Sequence, residues 1–181
     1  MKRFAVIETP IAGLKVIQRQ PIGDDRGFLC RLFCSEELAS VGWQKPIAQI
    51  NHTLTAKQGT IRGLHFQIAP HPEKKLVSCL KGRVWDVAID LRDDSPTRYH
   101  WHAEELSADN HKAMLIPEGF AHGFQSLDDG CELLYCHSAH FHPESERGLR
   151  FDDPWLGIAW PLPLSEISDR DLKHPYHDGK E

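Results

Sequence analysis

The sequence lacks several features that mark large classes of protein. It has no apolar run long enough to cross a membrane, and its N-terminal stretch MKRFAVIETP has no apolar segment of signal-peptide length. Its five cysteines are odd in number and form no CxxC pair, which argues against a disulfide framework or a zinc knuckle. We therefore expect a cytoplasmic protein with reduced thiols, no secretion signal and no membrane partner.

An excess of positive charge is also missing. Lysine and arginine together number 21 against 26 aspartates and glutamates, and the net charge is -5. Such a chain exerts no long-range attraction on nucleic acid, so an anionic ligand would have to be held by locally placed arginines and lysines. The hydrophobic share of 40% and the length of 181 residues are ordinary for a globular protein. We expect one domain over 1–181 and no nucleic-acid partner.

Short strand-like segments separated by Gly, Pro and Asp turns dominate the chain. In the clearest of them, at 83–91, the odd positions are apolar while Asp86 and Asp90 fall on the opposite face. Further strands are predicted at 4–9, 14–18, 28–34, 46–54, 59–67, 76–80, 98–106, 113–116, 122–127 and 132–139. This pattern is typical of an all-β sandwich or barrel.

Helix is predicted at two places only. Ser35 would be the N-cap of a short helix at 36–41, with acidic residues in its first turn. A further helical turn is predicted near 168–172. The proline- and tryptophan-containing stretch after Pro143 predicts an extended C-terminal segment laid over the strands.

Two stretches place a histidine close to glycine in a strand. They are GTIRGLHFQ, with His65, and IPEGFAHGF, with His122. In a regular strand Gly63 would share the face of His65, whereas Arg62 would face the other side unless Gly63 forms a bulge. A glycine beside a histidine predicts an open cavity at this face rather than a dry core.

Together the two stretches resemble the paired motifs of the cupin superfamily, a jelly roll or double-stranded β-helix. In metal-binding cupins the first motif supplies two histidines and a glutamate. Here Gln67 stands in place of the second histidine and no matching glutamate is found, so a full metal triad is missing. Six other histidines are expected mostly at the surface: His71, His100, His102, His137, His140 and His142.

A longer series of segments points to one family. The segments are GDDRGF (23–28), QINH (49–52), RGLHFQ (62–67), KLV (75–77), WDVAIDLR (85–92), SPT (95–97), LSADN (106–110), IPEGFAHGF (116–124), ELLY (132–135) and DDPWLGIAWP (152–161). In these motifs, over about 7–175, the chain resembles the dTDP-4-dehydrorhamnose 3,5-epimerase family of dTDP-L-rhamnose synthesis. The resemblance implies a cupin jelly roll without metal or other cofactor. It also implies a homodimer that acts on a dTDP-linked 4-keto-6-deoxy sugar.

The implied reaction inverts carbon centres next to a ketone. It needs a base to take a carbon-bound proton, a stabiliser for the enolate and an acid to return a proton on the opposite face. The resemblance implies His65 as the base, Asp171 as its carboxylate partner, Lys75 as the enolate stabiliser and Tyr135 as the acid. A neutral imidazole oriented by a carboxylate suits the first task. From the residues alone, Asp171 would instead be interpreted as a surface acid.

The resemblance also implies a set of substrate-binding residues: Arg26, Phe28, Gln49, Asn51, Arg62, His122, Glu146 and Arg170. Arg26 and Arg62 would hold the diphosphate, for which the guanidinium fork is suited. His122 would line the sugar site, and Phe28 would lie where the family packs against the base. Asp86 is expected as a further acid beside the active histidine. If Gly63 forms no bulge, Arg62 would reach a different site, such as that of the partner subunit.

Two departures from the family keep alternatives open. Arg31 replaces a glutamate found in many members, and a tyrosine-rich stretch is replaced by SAHFH at 138–142. These changes leave open an epimerase of one centre only, or one for a CDP- or GDP-linked sugar. A metal-dependent cupin using His65, Gln67 and His122 and a non-catalytic sugar-binding cupin are the remaining hypotheses.

Overall fold

The structure, a computed structural model, describes residues 2–177. Its strands are β1 (Phe4–Glu8), β2 (Lys15–Arg19), β3 (Ile22–Asp24), β4 (Gly27–Leu29), β5 (Gln49–Thr55), β6 (Ile61–Gln67), β7 (Lys75–Lys81), β8 (Arg83–Asp90), β9 (Trp101–Ser107), β10 (Lys112–Ile116), β11 (Phe120–Ser126), β12 (Cys131–His137) and β13 (Glu146–Gly148). Its helices are α1 (Ser35–Ala39) and α2 (Asp169–Leu172). None of the helices in this part of the chain has the length and apolar character needed to span a membrane.

The strands form two large antiparallel sheets that pack face to face. One sheet has the order β1-β2-β10-β7-β12-β5, and the other has the order β13-β6-β11-β8-β9. Apart from the pairs β1-β2 and β8-β9, neighbouring strands in each sheet are far apart in sequence, as in a jelly roll. The predicted all-β jelly roll with two short helices is therefore confirmed.

The main core lies between the two sheets. Val77 and Leu133 come from the six-stranded sheet, Val84 and Phe124 come from the five-stranded sheet, and all four belong to one buried cluster. Alternation along each strand sends these residues inward, and removal of their apolar surface from water stabilises the sandwich. Towards one end of the sandwich, polar residues replace apolar ones on the inner faces of β6, β7 and β12, and a cavity opens there.

The predicted strand at 28–34 is wrong in extent. Strand β4 ends at Leu29 and pairs with β3 in an exposed hairpin, and the chain then continues without regular structure to α1. Phe33 and Cys34 pack against a second buried cluster that contains Trp43. Apolar residues in an irregular segment thus gave the same sequence signal as a strand. The N-cap of α1 is Cys34 rather than Ser35, and the helix ends at Ala39.

The C-terminal segment lies over the outer face of the five-stranded sheet, as predicted. Leu156 belongs to a buried cluster with residues of β6, β8 and β11, and Trp160 packs against that cluster. The Glu166 carbonyl accepts a hydrogen bond from the N–H of Ile61, at the start of β6. The segment then enters α2, where the Ser168 side chain accepts a hydrogen bond from the N–H of Asp171. This path brings Asp171 to strand β6.

A buried carboxylate fixes the connection between β8 and β9. Asp90 is fully buried and accepts hydrogen bonds from Arg92 at 2.7 Å, Ser95 at 2.5 Å and Thr97 at 2.8 Å. Burial alone would raise the pKa of Asp90, but these hydrogen bonds outweigh it and lower the pKa to about 2. Arg92 also donates to the carbonyl of Ala12 and so ties the β1–β2 turn to the same network.

Replacing Asp90 with asparagine is expected to lower the free energy of unfolding at pH 7 by about 2–3 kcal/mol. An aspartate with a depressed pKa contributes stability above its unfolded pKa of about 3.9, and that stability is lost as the pH falls towards the folded value. The variant should therefore lose stability less steeply than the original protein between about pH 4 and pH 2. Urea unfolding at several pH values measures both effects. If the free energy of unfolding fell equally steeply with decreasing pH in the two proteins, the low pKa of Asp90 would be contradicted.

Candidate active site

A cavity of about 710 Å³ opens between the two sheets, a volume typical of small-molecule sites. Strands β5, β6, β7, β11 and β12 line it together with β13 and α2. All the predicted catalytic and binding residues line it except Arg26 and Phe28. Three further residues line the cavity and were not among the predicted site residues: Glu73, His137 and Phe141.

An irregularity in β6 puts Arg62 and His65 on the same face. His65 pairs with His122 of β11, and Arg62 pairs with Phe124, so two residues of β6 oppose the single residue Gly123. This is the bulge that a glycine at position 63 allows. Side chains directly opposite each other in an antiparallel pair share a face, so Arg62 follows His65 into the cavity. The alternative in which Arg62 serves a different site is not needed.

Gly63 is required at the bulge for two reasons. Its φ is 130°, a conformation that residues with a side chain rarely adopt. A Cβ at this position would lie 2.6 Å from Cα of Gly123 and 2.9 Å from the carbonyl oxygen of His122. The backbones of β6 and β11 therefore approach too closely for any other residue without displacement of one strand.

His65 and Asp171 form an imidazole–carboxylate dyad. Nε2 of His65 lies 2.8 Å from Oδ1 of Asp171, and the N–H of Gly63 donates to Oδ2 at 3.1 Å. Burial alone would raise the pKa of Asp171, but the hydrogen bonds from His65 and Gly63 outweigh it and hold the pKa well below its ordinary value. The carboxylate is therefore ionised and favours the tautomer with the proton on Nε2. That tautomer leaves Nδ1 with the lone pair of a base.

Arg170 and Glu146 lie at the entrance beside the dyad. Nη1 of Arg170 is 3.1 Å from Oε1 of Glu146, and its Nη2 lies 3.0 Å from Nε2 of His65. The Arg170 side chain is 57% exposed and so remains within reach of a ligand that enters the cavity. The pair supplies one positive and one negative group at the mouth, beside the His65–Asp171 dyad.

His122 forms a second dyad, with Asp86. Nε2 of His122 lies 2.7 Å from Oδ1 of Asp86, and both side chains are buried. Asp86, expected as a further acid beside the active histidine, contacts His122 and not His65. The reason is register: β11 pairs with both β6 and β8, so His122 lies between His65 and the strand that carries Asp86.

Tyr135 enters the cavity from β12 in the six-stranded sheet. Its ring meets that of His122 edge to face, with centroids 6.0 Å apart. Burial, and then the negative charge of Asp86, raise the pKa of the phenol far above its ordinary value. The phenol therefore keeps its proton at neutral pH and can act as a donor rather than a base.

Lys75 has two partners, one of which the sequence interpretation missed. Its Nζ lies 3.2 Å from Oε1 of Glu73 and 3.4 Å from the carbonyl oxygen of His65. The other carboxylate oxygen of Glu73 lies 2.8 Å from Nδ1 of His137. The expectation of a surface position is wrong for His137, whose side chain is only 11% exposed. Alternation along β12 could have revealed it, since His137 shares the face of Tyr135.

Gln49, Asn51 and Arg62 line the remaining wall. The Gln49 amide donates to Oδ1 of Asn51 at 3.0 Å and accepts from the N–H of Phe141 at 3.2 Å. Nε of Arg62 donates to the Thr55 hydroxyl at 3.0 Å. These contacts hold an amide pair and one guanidinium at the cavity wall, a combination suited to polar and anionic parts of a ligand.

Arg26 and Phe28 lie outside this cavity. Both belong to the β3–β4 hairpin, where the Arg26 side chain is 89% exposed and pairs with Asp24. Phe28 is 66% exposed and makes an edge contact with His111. Neither residue is placed to bind a ligand in the cavity of its own chain.

Gln67 has a structural role besides lining the cavity. Its amide oxygen accepts from the N–H of His142, and its amide nitrogen donates to the carbonyls of His71 and His140. The residue at the second cupin histidine position therefore fixes the loops at the mouth. Potential metal ligands converge at two places within residues 2–177: His65 with Asp171 and His174, and His71 with His142 and Glu144.

Comparison with known proteins gives one consistent family. A family model described as dTDP-4-dehydrorhamnose 3,5-epimerase matches residues 8–178. The enzyme of that name from Shigella flexneri is 39% identical over 168 residues, which cover 92% of each chain. The sequence similarity therefore extends over nearly the whole length of both chains.

Solved structures agree with the sequence comparison. A dTDP-4-dehydrorhamnose 3,5-epimerase from Bacillus anthracis, with TDP and PPi bound, has a TM-score of 0.93 at 37% identity, covering 96% of this chain and 99% of that one. A dTDP-6-deoxy-D-glucose-3,5-epimerase from Legionella pneumophila, in complex with dTDP-4-keto-L-rhamnose, has a TM-score of 0.91 at 36% identity, covering 96% and 92%. The backbone is thus similar to that of enzymes with nucleotide or nucleotide-sugar ligands.

Proposed function

The chain belongs to the dTDP-4-dehydrorhamnose 3,5-epimerase family, and on this premise we propose that it inverts C3 and C5 of dTDP-4-dehydro-6-deoxy-D-glucose. The product is dTDP-4-dehydro-L-rhamnose. The observation that carries the proposal is the His65–Asp171 dyad, which shares one cavity with Lys75 and Tyr135. The enzyme is a nucleotide-sugar isomerase that uses side chains for every proton transfer.

Base and acid come from opposite walls of the cavity. His65 lies on β6 of the five-stranded sheet, whereas Tyr135 lies on β12 of the six-stranded sheet. A sugar ring held between the sheets would present one face to each residue. Removal of one proton by one wall and addition of a different proton from the other wall inverts the carbon.

The first step places negative charge on the oxygen of the C4 ketone. Nδ1 of His65 takes the proton from the carbon next to the ketone, and the C–H electron pair moves into the enolate. The ammonium of Lys75 donates a hydrogen bond to the enolate oxygen and stabilises its charge. Tyr135 then gives its phenolic proton to the opposite face of the carbon. His65 then releases its proton to solvent and Tyr135 takes up another, which restores both groups. C3 and C5 flank the same ketone, so the same residues serve both centres.

The remaining residues bind the nucleotide sugar. Arg62 and Arg170 bring positive charge to the cavity, as a diphosphate requires. Gln49 and Asn51 offer amide groups to the sugar hydroxyls or the base, and His122 lines the sugar end beside Tyr135. This arrangement gives an overall acidic chain a local site for an anionic substrate.

Product analysis tests the proposed function. The purified protein is incubated with dTDP-4-dehydro-6-deoxy-D-glucose, and proton NMR coupling constants report the configuration at C3 and C5. Inversion of both centres is expected. Inversion of one centre only would indicate a mono-epimerase, and faster turnover of the CDP- or GDP-linked sugar would reassign the nucleotide. Absence of turnover with all of these substrates would refute the proposal.

We also propose a homodimer in which the β3–β4 hairpin of one chain reaches the cavity of its partner. Phe28 and Leu29 are 66% and 67% exposed, and Ile50 and Leu54 on the edge strand β5 are both 57% exposed. Burial of these apolar groups against a second copy would remove them from water. Arg26 would then face the substrate of the partner. The five free cysteines support a reducing, cytoplasmic location.

Subunit complementation tests the shared site. Chains carrying Arg26→Ala and chains carrying His65→Ala are each expected to be weakly active when alone. After mixing and subunit exchange, half of the dimers are mixed, and each mixed dimer has one site with both native residues. Activity should therefore recover to roughly a quarter of that of the original protein. A monomeric mass in sedimentation, or no recovery in a proven mixed dimer, would contradict the shared site.

A further inference from the structure

Among residues 2–177, three histidines line the cavity, and each of them contacts a carboxylate. The His65–Asp171 and His122–Asp86 pairs were described above. In the third pair, Nδ1 of His137 lies 2.8 Å from Oε2 of Glu73. The side chains of His137 and Glu73 are largely buried, with 11% and 10% of their surface exposed.

The third pair differs from the others because its carboxylate is shared with a lysine. Oε1 of Glu73 lies 3.2 Å from Nζ of Lys75, whose side chain is 9% exposed. Burial by itself would raise the pKa of Glu73, but the hydrogen bond from His137 and the charge of Lys75 outweigh it and lower the pKa. Glu73 is thus an ionised group that bridges an imidazole and an ammonium.

The backbone holds the three residues in register. Lys75 of β7 and His137 of β12 are directly paired. The N–H of Lys74 donates to the Ser138 hydroxyl at 2.7 Å, and the N–H of Ser138 donates to the Lys74 carbonyl at 3.1 Å. Glu73 precedes β7 and is therefore fixed at the end of a clamped strand. Such support restricts where the ammonium can point.

We propose that Glu73 and His137 are positioning residues that keep Lys75 protonated and directed at the enolate oxygen. This inference rests on the proposed epimerase function, because it assigns a role in that reaction. An ammonium with little exposure to water needs a counter-charge to remain charged. Glu73 supplies that charge, and His137 holds the carboxylate in place by donating its Nδ1–H.

Other charged and titratable groups share the cavity with Lys75. They are the His65–Asp171 and His122–Asp86 pairs, the Tyr135 phenol, the Glu146 and Glu166 carboxylates, and the Arg62 and Arg170 guanidinium groups. The residue paired with Lys75 on β10 is the apolar Ile116. Within the described chain, the carboxylate in contact with Nζ is that of Glu73.

The Glu73→Gln variant tests the counter-charge. Glutamine keeps the volume of the side chain but removes its charge, so the Lys75 ammonium loses its counter-charge. The alkaline limb of the kcat profile should move to lower pH, with KM changed less than kcat. In a Lys75→Arg background the same substitution should leave the alkaline limb in place, because a guanidinium stays charged throughout the range.

A pair of His137 variants tests the hydrogen bond separately. His137→Ala removes the donor to Glu73 and should lower kcat more than it changes KM. His137→Asn places an amide N–H near the position of Nδ1 and should restore most of the lost kcat. If His137 had only a structural role, His137→Ala would lower the thermal stability and His137→Asn would not restore kcat. The two His137 variants also test the proposed positioning role if the Glu73→Gln variant does not fold.

The outcomes separate this inference from the proposed function. If the original protein shows no epimerase activity, the proposed function fails. If it is active and folded Glu73→Gln has an unchanged alkaline limb, the positioning role of Glu73 is overturned. Equal kcat in His137→Ala and the original protein would overturn the role of His137.

Discussion

Replacing His65 with alanine is expected to lower kcat of the epimerisation by about 10²–10⁴-fold. The substitution removes the proposed base, whereas the N–H of Gly63 still donates to the Asp171 carboxylate and the N–H of Asp171 still donates to the Ser168 hydroxyl. The protein should therefore fold normally and bind the nucleotide sugar with similar affinity. Initial rates of product formation, with binding measured by calorimetry, separate the two effects.

A histidine outside the cavity supplies the matched control. His100 is exposed at the end of the β8–β9 connection, so His100→Ala removes an imidazole without touching the site. Its rate should stay within about twofold of the original, as for surface substitutions away from special features. Asp171→Asn should resemble His65→Ala, because loss of the carboxylate removes the preference for the proton on Nε2. A His65→Ala variant with more than a tenth of the original rate would exclude His65 as the base.

Replacing Gly63 with alanine is expected to damage stability and activity together. The new methyl group would meet the backbone of Gly123 and His122 at less than van der Waals distance, at a φ of 130°. Backbone strain and overlap together should lower the free energy of unfolding by about 2–5 kcal/mol. Displacement of β6 would also move the N–H of Gly63 from Asp171, and a shift of this kind costs roughly 10²-fold in rate. Urea unfolding and initial rates measure the two losses.

Gly42 provides the matched control for Gly63. Its φ is 118°, and a Cβ built there meets no atom within 4 Å. The free energy of unfolding of Gly42→Ala should therefore fall only by the cost of the unfavourable backbone conformation, about 1–3 kcal/mol. The variant should keep its activity. If the two variants were equally stable and equally active, close approach of β6 and β11 would not be the reason for a glycine at position 63.

The strands could be predicted because their signals are local. Alternation at 83–91 gave β8 within one residue, and turn residues gave the order of short strands. The hairpin at 22–29 and the irregular path after it could not be separated from a longer strand, because Phe33 and Cys34 are apolar in either structure. Strand β13 is three residues long and is the edge strand beside β6, so its sequence shows no alternation that could be detected.

The site could be predicted in part, and the missing part is non-local. His65 stood out beside a glycine, whereas Asp171 lies 106 residues away and carries no local mark of burial. Only the family resemblance pointed to it. Glu73 and His137 are 64 residues apart and meet because β7 pairs with β12. Strand pairing at this separation is a property of the whole sheet, so residue spacing alone could not reveal the pair.

Solvent deuterium uptake tests the central claim most directly, namely that side chains of this cavity exchange protons at carbons next to the C4 ketone. The protein is incubated in D₂O with dTDP-4-dehydro-6-deoxy-D-glucose, and NMR follows the proton signals of C3 and C5. Loss of both signals with the original protein, and of neither with His65→Ala, is the predicted result. Product formed without deuterium at either carbon, or equal uptake with His65→Ala, would contradict it.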